Sequence, residues 1–225
     1  MSKERSAGTP AAARHAEAVT VTPSPGRREK RRQRTRDAIL GAALSLFGER
    51  GVYATRIEDI TERADVGKGA FYNYFDSKSA LIAELLSRTV AHLDAACRAA
   101  GRPRDPLPRR VAALVRAHDR FFEGHPEQRL LFHQARGLLL LDLADAAPIQ
   151  AVFLDYLRRV DHLLELERAG WPRRRRLDLA AAVGGAVLGF SSLRGAFGLA
   201  PDPALLEQLL AHGVSGLARS RPAQP

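Results

Sequence analysis

The chain contains little of the chemistry that stabilises secreted or membrane-embedded proteins. Its 225 residues include one cysteine, one methionine and one tryptophan, and aromatic residues make up 6%. The single cysteine, Cys97, excludes an intrachain disulfide and any zinc site built on two cysteines, which is typical of a reducing compartment. The longest apolar stretch, residues 179–190, is shorter than the roughly 20 residues that a membrane-spanning helix needs. We therefore expect a cytoplasmic protein without membrane contacts.

The charge of the chain is strongly unbalanced. Lys and Arg number 35 against 25 Asp and Glu, so the formal net charge is +10. Residues 1–36 alone hold ten Lys or Arg against three acids. A basic protein of this kind favours polyanionic partners. Residues 1–34 show no helical or strand periodicity that could bury a face, and they predict a disordered basic tail.

Helical periodicity starts at Thr35 and predicts a first helix. Apolar residues recur at three- and four-residue spacing as far as Gly51, a residue type that often follows a helix end. Thr55 and Glu58 then match a capping box, in which the Thr55 hydroxyl would accept a backbone N–H at the start of a second helix. The sequence thus predicts two helices joined by a short connection.

A tight turn follows the second helix. Asp65 tolerates the left-handed conformation and Gly67 permits it, so the chain can reverse direction before a third helix over residues 68–75. Phe71 and Phe75 lie four residues apart on that helix, and we assign both to the core. Two short helices around such a turn predict a helix-turn-helix.

The remainder of the chain predicts a helical bundle. Two amphipathic stripes, in residues 111–122 and 153–164, repeat the same apolar offsets, and no later segment alternates like a strand. Residues 177–197 are apolar or small on nearly all sides, with Gly184, Gly185 and Gly189 in the helix interior, so we expect this helix to pack against its own protein and a second subunit. The residues predicted at this dimer interface are Val183, Gly184, Val187, Phe190, Leu206 and Leu210.

These patterns together predict an all-α fold with two domains. An N-terminal three-helix helix-turn-helix domain occupies residues 35–80, and a C-terminal helical bundle occupies residues 81–218. The basic tail precedes the first domain, and a short tail over residues 219–225 follows the second.

The segment from Thr55 to Leu81 resembles the DNA-binding signature of the TetR family of transcriptional regulators. The positions that carry the resemblance are Ala64-Asp65-Val66, Gly67-Lys68-Gly69-Ala70-Phe71-Tyr72, Tyr74-Phe75 and Ser77-Lys78-Ser79-Ala80-Leu81. Asp65 replaces the family's usual turn glycine, and Gly67 and Ala70 replace two residues that carry hydroxyls. The choice of operator therefore cannot be transferred from relatives.

The resemblance implies binding of double-stranded DNA through the third helix. The first residues of a recognition helix approach base edges in the major groove, and flanking residues contact phosphates. Asn73 would prefer adenine, and Lys68 and Lys78 would neutralise phosphates. The basic run over residues 27–36 has two interpretations, additional DNA contacts or a solubilising tail. The residues predicted to contact DNA are Thr55, Arg56, Gly67, Lys68, Gly69, Ala70, Tyr72, Asn73, Tyr74 and Lys78.

The resemblance also implies that the bundle binds a small-molecule effector. His118 and Tyr156 each interrupt an apolar stripe, and polar groups on the helix between them could complete an apolar chamber. The competing interpretation is a core histidine that bonds a backbone carbonyl. The predicted pocket residues are His118, Phe122, His133, Arg136 and Tyr156.

No catalytic, metal or cofactor site is predicted. The histidines are irregularly spaced, and the sequence contains neither a glycine-rich phosphate loop after a strand nor a nucleophile elbow. The favoured function is a homodimeric repressor that binds a palindromic operator and is released by an effector. The alternatives are a DNA-binding regulator without an effector or under the control of a protein and, less favoured, an enzyme that uses the bundle pocket.

Overall fold

The computed structural model describes residues 26–102, 104–140, 145–166, 170–198 and 202–219. Within these ranges the regular elements are α-helices and no strand occurs, which confirms the all-α class. The expected tail residues 1–25 and 220–225 lie outside the described residues. The helices are α1 Arg27–Ala54, α2 Ile57–Arg63, α3 Lys68–Phe71, α4 Lys78–Ala100, α5 Leu107–Gly124, α6 Pro126–Leu140, α7 Ala147–Leu164, α8 Arg173–Phe197 and α9 Pro203–Arg219.

Helix α1 begins at Arg27 rather than at Thr35, so the expectation of a tail up to residue 34 was wrong for residues 27–34. These residues bury no apolar face, and periodicity therefore could not detect them. Their Arg, Lys, Glu and Gln side chains have high helix propensity, and extending a helix that is already packed avoids the cost of nucleation.

Helix α1 is interrupted at Gly51, which adopts φ 85° and ψ 163°. The backbone N–H of Val52 consequently lacks its helical partner, and the side-chain oxygen of Gln134 accepts it at 2.6 Å. Gln134 belongs to α6, so the broken end of α1 is fixed by the bundle. This contact joins the N-terminal helices to the C-terminal domain.

The connection into α2 differs from the predicted capping box. Thr55 is 1% exposed, and its hydroxyl donates to the Gly51 carbonyl at 2.8 Å. The residue before α2 is Arg56, whose backbone N–H donates to the Asp59 carboxylate at 2.8 Å. Thr55 therefore completes the broken end of α1 and does not cap α2.

The turn between α2 and α3 confirms the left-handed residue predicted at Asp65, which has φ 52°. Gly67 precedes α3 with an ordinary φ of −66°, and α3 ends at Phe71, so the prediction of a helix over residues 68–75 was wrong beyond Phe71. Ser77 caps α4, because its hydroxyl accepts the Ala80 N–H at 3.1 Å. Helix α2 packs against α1 and α3.

Helices α4 to α9 form the bundle. Helix α5 packs against α4 and α9, and α8 packs against α5, α6, α7 and α9. Residues 173–193 of α8 are long and apolar enough to cross a membrane by length and composition, and they exceed the apolar stretch counted in the sequence. A single helix of this kind is weak evidence for a membrane span, because the core helix of a soluble protein passes the same test.

Candidate nucleic-acid interface and bundle clefts

Helix α3 and the residues that flank it leave small and polar residues exposed. Gly67 and Gly69 are exposed, and a Cβ atom added to either would meet no atom within 4 Å. Tyr72 is 50% exposed, and Asn73 is exposed beside it. A flat backbone flanked by two hydrogen-bonding side chains can approach the edges of base pairs.

The opposite side of α3 anchors it to the core. Phe71 and Phe75 are buried, which confirms their predicted core role. Their ring centroids lie 5.6 Å apart, and the Arg36 guanidinium lies 5.4 Å from the Phe75 ring centroid. The buried phenylalanines therefore anchor the segment that carries the exposed side chains.

Lys68 lies at the edge of this surface, where its ammonium forms an ion pair with Glu58 of α2. Both side chains are more than half exposed. The hydrogen bond from Lys68 to Glu58 raises the pKa of the lysine and lowers that of the carboxylate. A phosphate could replace Glu58 without uncovering any buried charge.

The other predicted contacts occupy intermediate positions. Arg56 is exposed, while Ala70 and Tyr74 are partly buried. The Arg32 guanidinium lies 6.0 Å from the Tyr74 ring centroid. This distance brings the first turns of α1 next to Tyr74, a proximity that supports DNA contacts as the interpretation of the basic run over residues 27–36. The basic residues exposed on these turns are Arg27, Arg28, Lys30, Arg31, Arg32 and Arg34.

Thr55 and Lys78 do not face the exposed surface. The Lys78 ammonium donates to the carbonyl oxygens of Val52 and Thr55, both at 2.6 Å. Partial burial lowers the pKa of Lys78. Because Thr55 is buried and the Lys78 ammonium donates to backbone carbonyls, this arrangement does not support the prediction that these two side chains contact DNA, which stays a prediction. They position α2 relative to α1 and α4.

Two of the clefts on the bundle share residues of α6. The first, which we call the bundle cleft, has a volume of about 490 Å³ and lies between α6, α7 and α8. The second, which we call the hinge cleft, has a volume of about 1100 Å³ and lies between α1, α6 and α8. His133 and Arg136 line both, so the two clefts meet at α6. The apolar residues lining the bundle cleft are Leu139, Leu140, Phe153, Leu157, Ala181 and Leu188.

Three of the five predicted pocket residues line the bundle cleft, namely His133, Arg136 and Tyr156. His118 is 1% exposed and lies behind Tyr156, whose hydroxyl is 3.1 Å from the His118 Nε2 atom. Phe122 is buried and lines neither of these clefts, but it lines a small cavity of about 10 Å³ together with His133 and Arg136. His118 and Phe122 therefore support the wall and do not form the surface of the cleft.

Cys97 is buried beside His118, with its sulfur 3.7 Å from Nδ1. Burial raises the pKa of the Cys97 thiol to about 12, so the sulfur stays protonated and unreactive at neutral pH. No group of three or more His, Cys, Asp or Glu able to hold a metal ion occurs in the part of the chain that the structure describes.

The predicted dimer residues mostly face the interior of their own subunit. Val183, Val187 and Leu206 are buried, and a Cβ atom on Gly184 would lie 3.0 Å from the Tyr156 hydroxyl oxygen. The prediction was wrong for these four, because the bundle itself covers that side of the helices. Phe190 and Leu210 are partly buried. The large apolar side chains that α8 and α9 leave exposed include Leu193, Phe197, Leu205 and Leu209.

Comparisons with known proteins agree with this geometry. Residues 39–85 match the family model of "Bacterial regulatory proteins, tetR family". The chain is 34% identical over 145 residues to the transcriptional activator FasR of Mycolicibacterium smegmatis, a match that covers 61% of this chain and 65% of FasR. It is 38% identical over 96 residues to the transcriptional repressor KstR of the same organism, which covers 41% of this chain and 47% of KstR. These matches span less than two thirds of the curated relatives.

The fold is also similar to that of solved regulators. The regulator FadR from Bacillus subtilis, crystallised in complex with stearoyl-CoA, superposes with a TM-score of 0.62 at 16% sequence identity. The superposition covers 78% of this chain and 95% of that chain. At this level of identity, the likeness concerns the fold.

Proposed function

We propose that this chain, whose residues 39–85 match the model of the tetR family of bacterial regulatory proteins, binds a palindromic operator as a homodimer and represses transcription until a small-molecule effector releases it. The observation that carries this proposal is the exposed surface of α3, with two glycines, Tyr72 and Asn73 above a buried pair of phenylalanines. Its place of action would be the cytoplasm. We propose no catalytic activity.

In this proposal α3 enters the major groove and the start of α1 contacts the backbone. Tyr72 and Asn73 contact base edges, and Gly67, Gly69 and Ala70 allow close approach. Arg56, Lys68 and Tyr74 contact the sugar-phosphate backbone, to which the exposed basic residues of α1 add further positive charge. A two-fold dimer places its reading helices roughly 34–36 Å apart, or further apart on an extended site.

The operator is identified by selecting bound sequences from a random duplex pool, followed by a footprint. We expect a palindrome, with both half-sites protected. Asn73→Ala should relax the preference at one base pair in each half-site, whereas Lys68→Ala should weaken binding to all sequences alike. Protection of one isolated half-site, or no enrichment of any sequence, would contradict the proposal.

The second subunit would dock on the exposed apolar residues of α8 and α9. Leu193, Phe197, Leu205 and Leu209 are large apolar side chains that these helices leave exposed, with Phe197 70% and Leu209 68% exposed, and exposed apolar patches often mark protein interfaces. Burying these side chains between two copies would remove that surface from water. The partner in this proposal is a second copy of the same chain.

The two clefts support an effector over the alternative in which the bundle only dimerises. The bundle cleft has apolar walls, and Arg136 and His133 mark its junction with the hinge cleft, which Arg129 also lines. An amphipathic molecule with an apolar chain and an anionic head fits this distribution, and the neighbour FadR is described with such a ligand, stearoyl-CoA. We therefore propose a ligand of the acyl-thioester or fatty-acid class.

The effector proposal is tested by titrating stearoyl-CoA, stearate and free CoA against the complex of protein and selected operator. Stearoyl-CoA or stearate should weaken operator binding 5- to 150-fold, and free CoA should have a smaller effect. Arg136→Gln should raise the concentration required. If none of the three ligands changes operator affinity, this ligand class is wrong, although operator binding itself would still stand.

A further inference from the structure

His118 occupies a position where one of its tautomers is fixed by the backbone. It lies on α5 between Cys97 of α4 and Tyr156 of α7, and its Nδ1 atom is 2.8 Å from the Leu114 carbonyl oxygen. A carbonyl oxygen can only accept, so Nδ1 carries a proton. Burial lowers the pKa of His118 to about 4, and the ring is therefore neutral at pH 7 with a single N–H.

The fixed tautomer determines the direction of the next hydrogen bond. The Nε2 atom of His118 has a lone pair and no proton, so the Tyr156 hydroxyl at 3.1 Å must donate to it. Burial also raises the pKa of Tyr156, which keeps the phenol protonated. Its one proton is committed to His118, and its oxygen retains only acceptor capacity.

Tyr156 is also part of the wall of the bundle cleft. Among the described residues that line this cleft, it carries the one side-chain hydroxyl. The ring is held in place by Gly184, where even a methyl group would come within 2.9 Å of the Tyr156 Cε1 atom. Arg136, which lines the same cleft, has only donors.

We infer that the bundle cleft selects ligands that present a hydrogen-bond donor, a hydroxyl or an N–H group, to the Tyr156 oxygen. This inference rests on the proposed effector function and specifies a hydrogen-bonding group that the ligand must carry. A ligand that places a carbonyl or ether oxygen at this point brings two acceptors together and leaves both unsatisfied away from water. An anionic group belongs at Arg136, and the donor belongs at Tyr156. Stearoyl-CoA carries both an anionic group and amide N–H donors, whereas stearate, an ionised carboxylate, lacks the donor and should bind more weakly.

The first test concerns the tautomer and needs no ligand. Full-length protein labelled with ¹⁵N-histidine is examined by two-bond ¹H–¹⁵N correlation NMR, with His118→Gln used to assign the signal. We expect a neutral ring with the proton on Nδ1 at pH 7. A proton on Nε2, or a charged ring, would overturn the inference.

The second test compares 1-naphthol with 1-methoxynaphthalene, in which a methyl group replaces the hydroxyl hydrogen, by calorimetry on the full-length protein. Wild type should bind 1-naphthol at least about five-fold more tightly, as expected for one hydrogen bond. Tyr156→Phe conserves the ring and should abolish the difference, provided that its melting curve remains cooperative. The matched control Tyr53→Phe, on α1 outside the cleft lining, should retain it.

Equal affinities in wild type, a preference that persists in Tyr156→Phe, or binding of neither probe would each overturn the inference. Operator binding enters neither measurement. If the protein selects an operator but fails these tests, only the inferred preference of the cleft for a donor is wrong. If it selects no operator, the proposed function is wrong.

Discussion

At the scale of single residues, two lysines in the same motif have different surroundings. Lys78 donates to two backbone carbonyls beside the break in α1, and Lys68 forms an exposed ion pair. Lys78→Met removes both donors and should lower the free energy of unfolding by about 1–3 kcal/mol. Urea denaturation measures this loss. An unchanged midpoint would show that the two carbonyls are satisfied in another way.

Lys68→Met should leave stability unchanged and alter operator binding. Stability should stay within experimental error, because exposed ion pairs contribute little. The slope of log affinity for operator against log salt concentration should fall by about one, since one phosphate contact is lost. Titrations at several salt concentrations decide the matter, and a slope equal to that of wild type would remove Lys68 from the interface.

The buried His118 predicts a pH dependence of stability. Its pKa in the folded protein is about 4, below its ordinary value of 6.5, so the unfolded chain binds a proton in this interval that the folded protein does not. The free energy of unfolding should therefore fall as pH decreases from 6.5 towards 5, by up to about 1.4 kcal/mol per pH unit. His118→Gln should flatten this dependence, whereas His125→Gln, at an exposed site, should not. Urea unfolding at several pH values provides the measurement.

Local residue patterns were the easiest to predict. The turn at Asp65 and the buried Phe71 and Phe75 depend on near neighbours in the sequence, and both predictions were confirmed. The roles of Thr55 and Lys78 depend on where α1 breaks and what lies beside the break. Gln134 fixes that geometry from 82 residues away, and no local pattern contains this information.

At the scale of elements, the break in α1 can be tested with a pair of glycines. Gly51→Ala places a side chain at φ 85° and against Gln134 Nε2 at 2.9 Å, so it should lower the free energy of unfolding by about 1–3 kcal/mol. Gly41→Ala lies in an open helical position of the same α1 and should raise it by about 0.5–1 kcal/mol. Thermal or urea unfolding of both variants is sufficient. Equal changes would mean that the break is not a fixed feature of α1.

Helix α8 shows what an element's sequence cannot specify. An apolar pattern on nearly all sides predicted burial and a second subunit, but it could not tell which side the protein's own helices cover. Tyr156 of α7 occupies the Gly184 side, and the exposed leucines lie elsewhere. Burial on one particular side is a tertiary property, and the interface prediction therefore failed for its most buried residues.

At the scale of the whole molecule, the exposed α8 and α9 residues predict a dimer. The double variant Leu205→Glu/Leu209→Glu should be monomeric at micromolar concentration in sedimentation velocity, because four carboxylates would be buried in each dimer. Its affinity for a palindrome should fall roughly 100-fold or more, because the two DNA-binding domains are no longer joined in one dimer. Leu154→Glu on α7, also exposed, should remain dimeric. A wild-type monomer would refute the interface.

Helix α6 has two neighbouring surfaces with separate partners. Gln134 and Gly137 face α1, where Gly137 leaves room for the Tyr53 hydroxyl, while His133 and Arg136 line both clefts. Each residue added to an α-helix turns the following part by roughly 100°. A one-residue insertion before Gln134 would therefore displace both the residues that line the clefts and the hydrogen bond between Gln134 and α1. Natural variation in this helix should proceed by substitution at constant length.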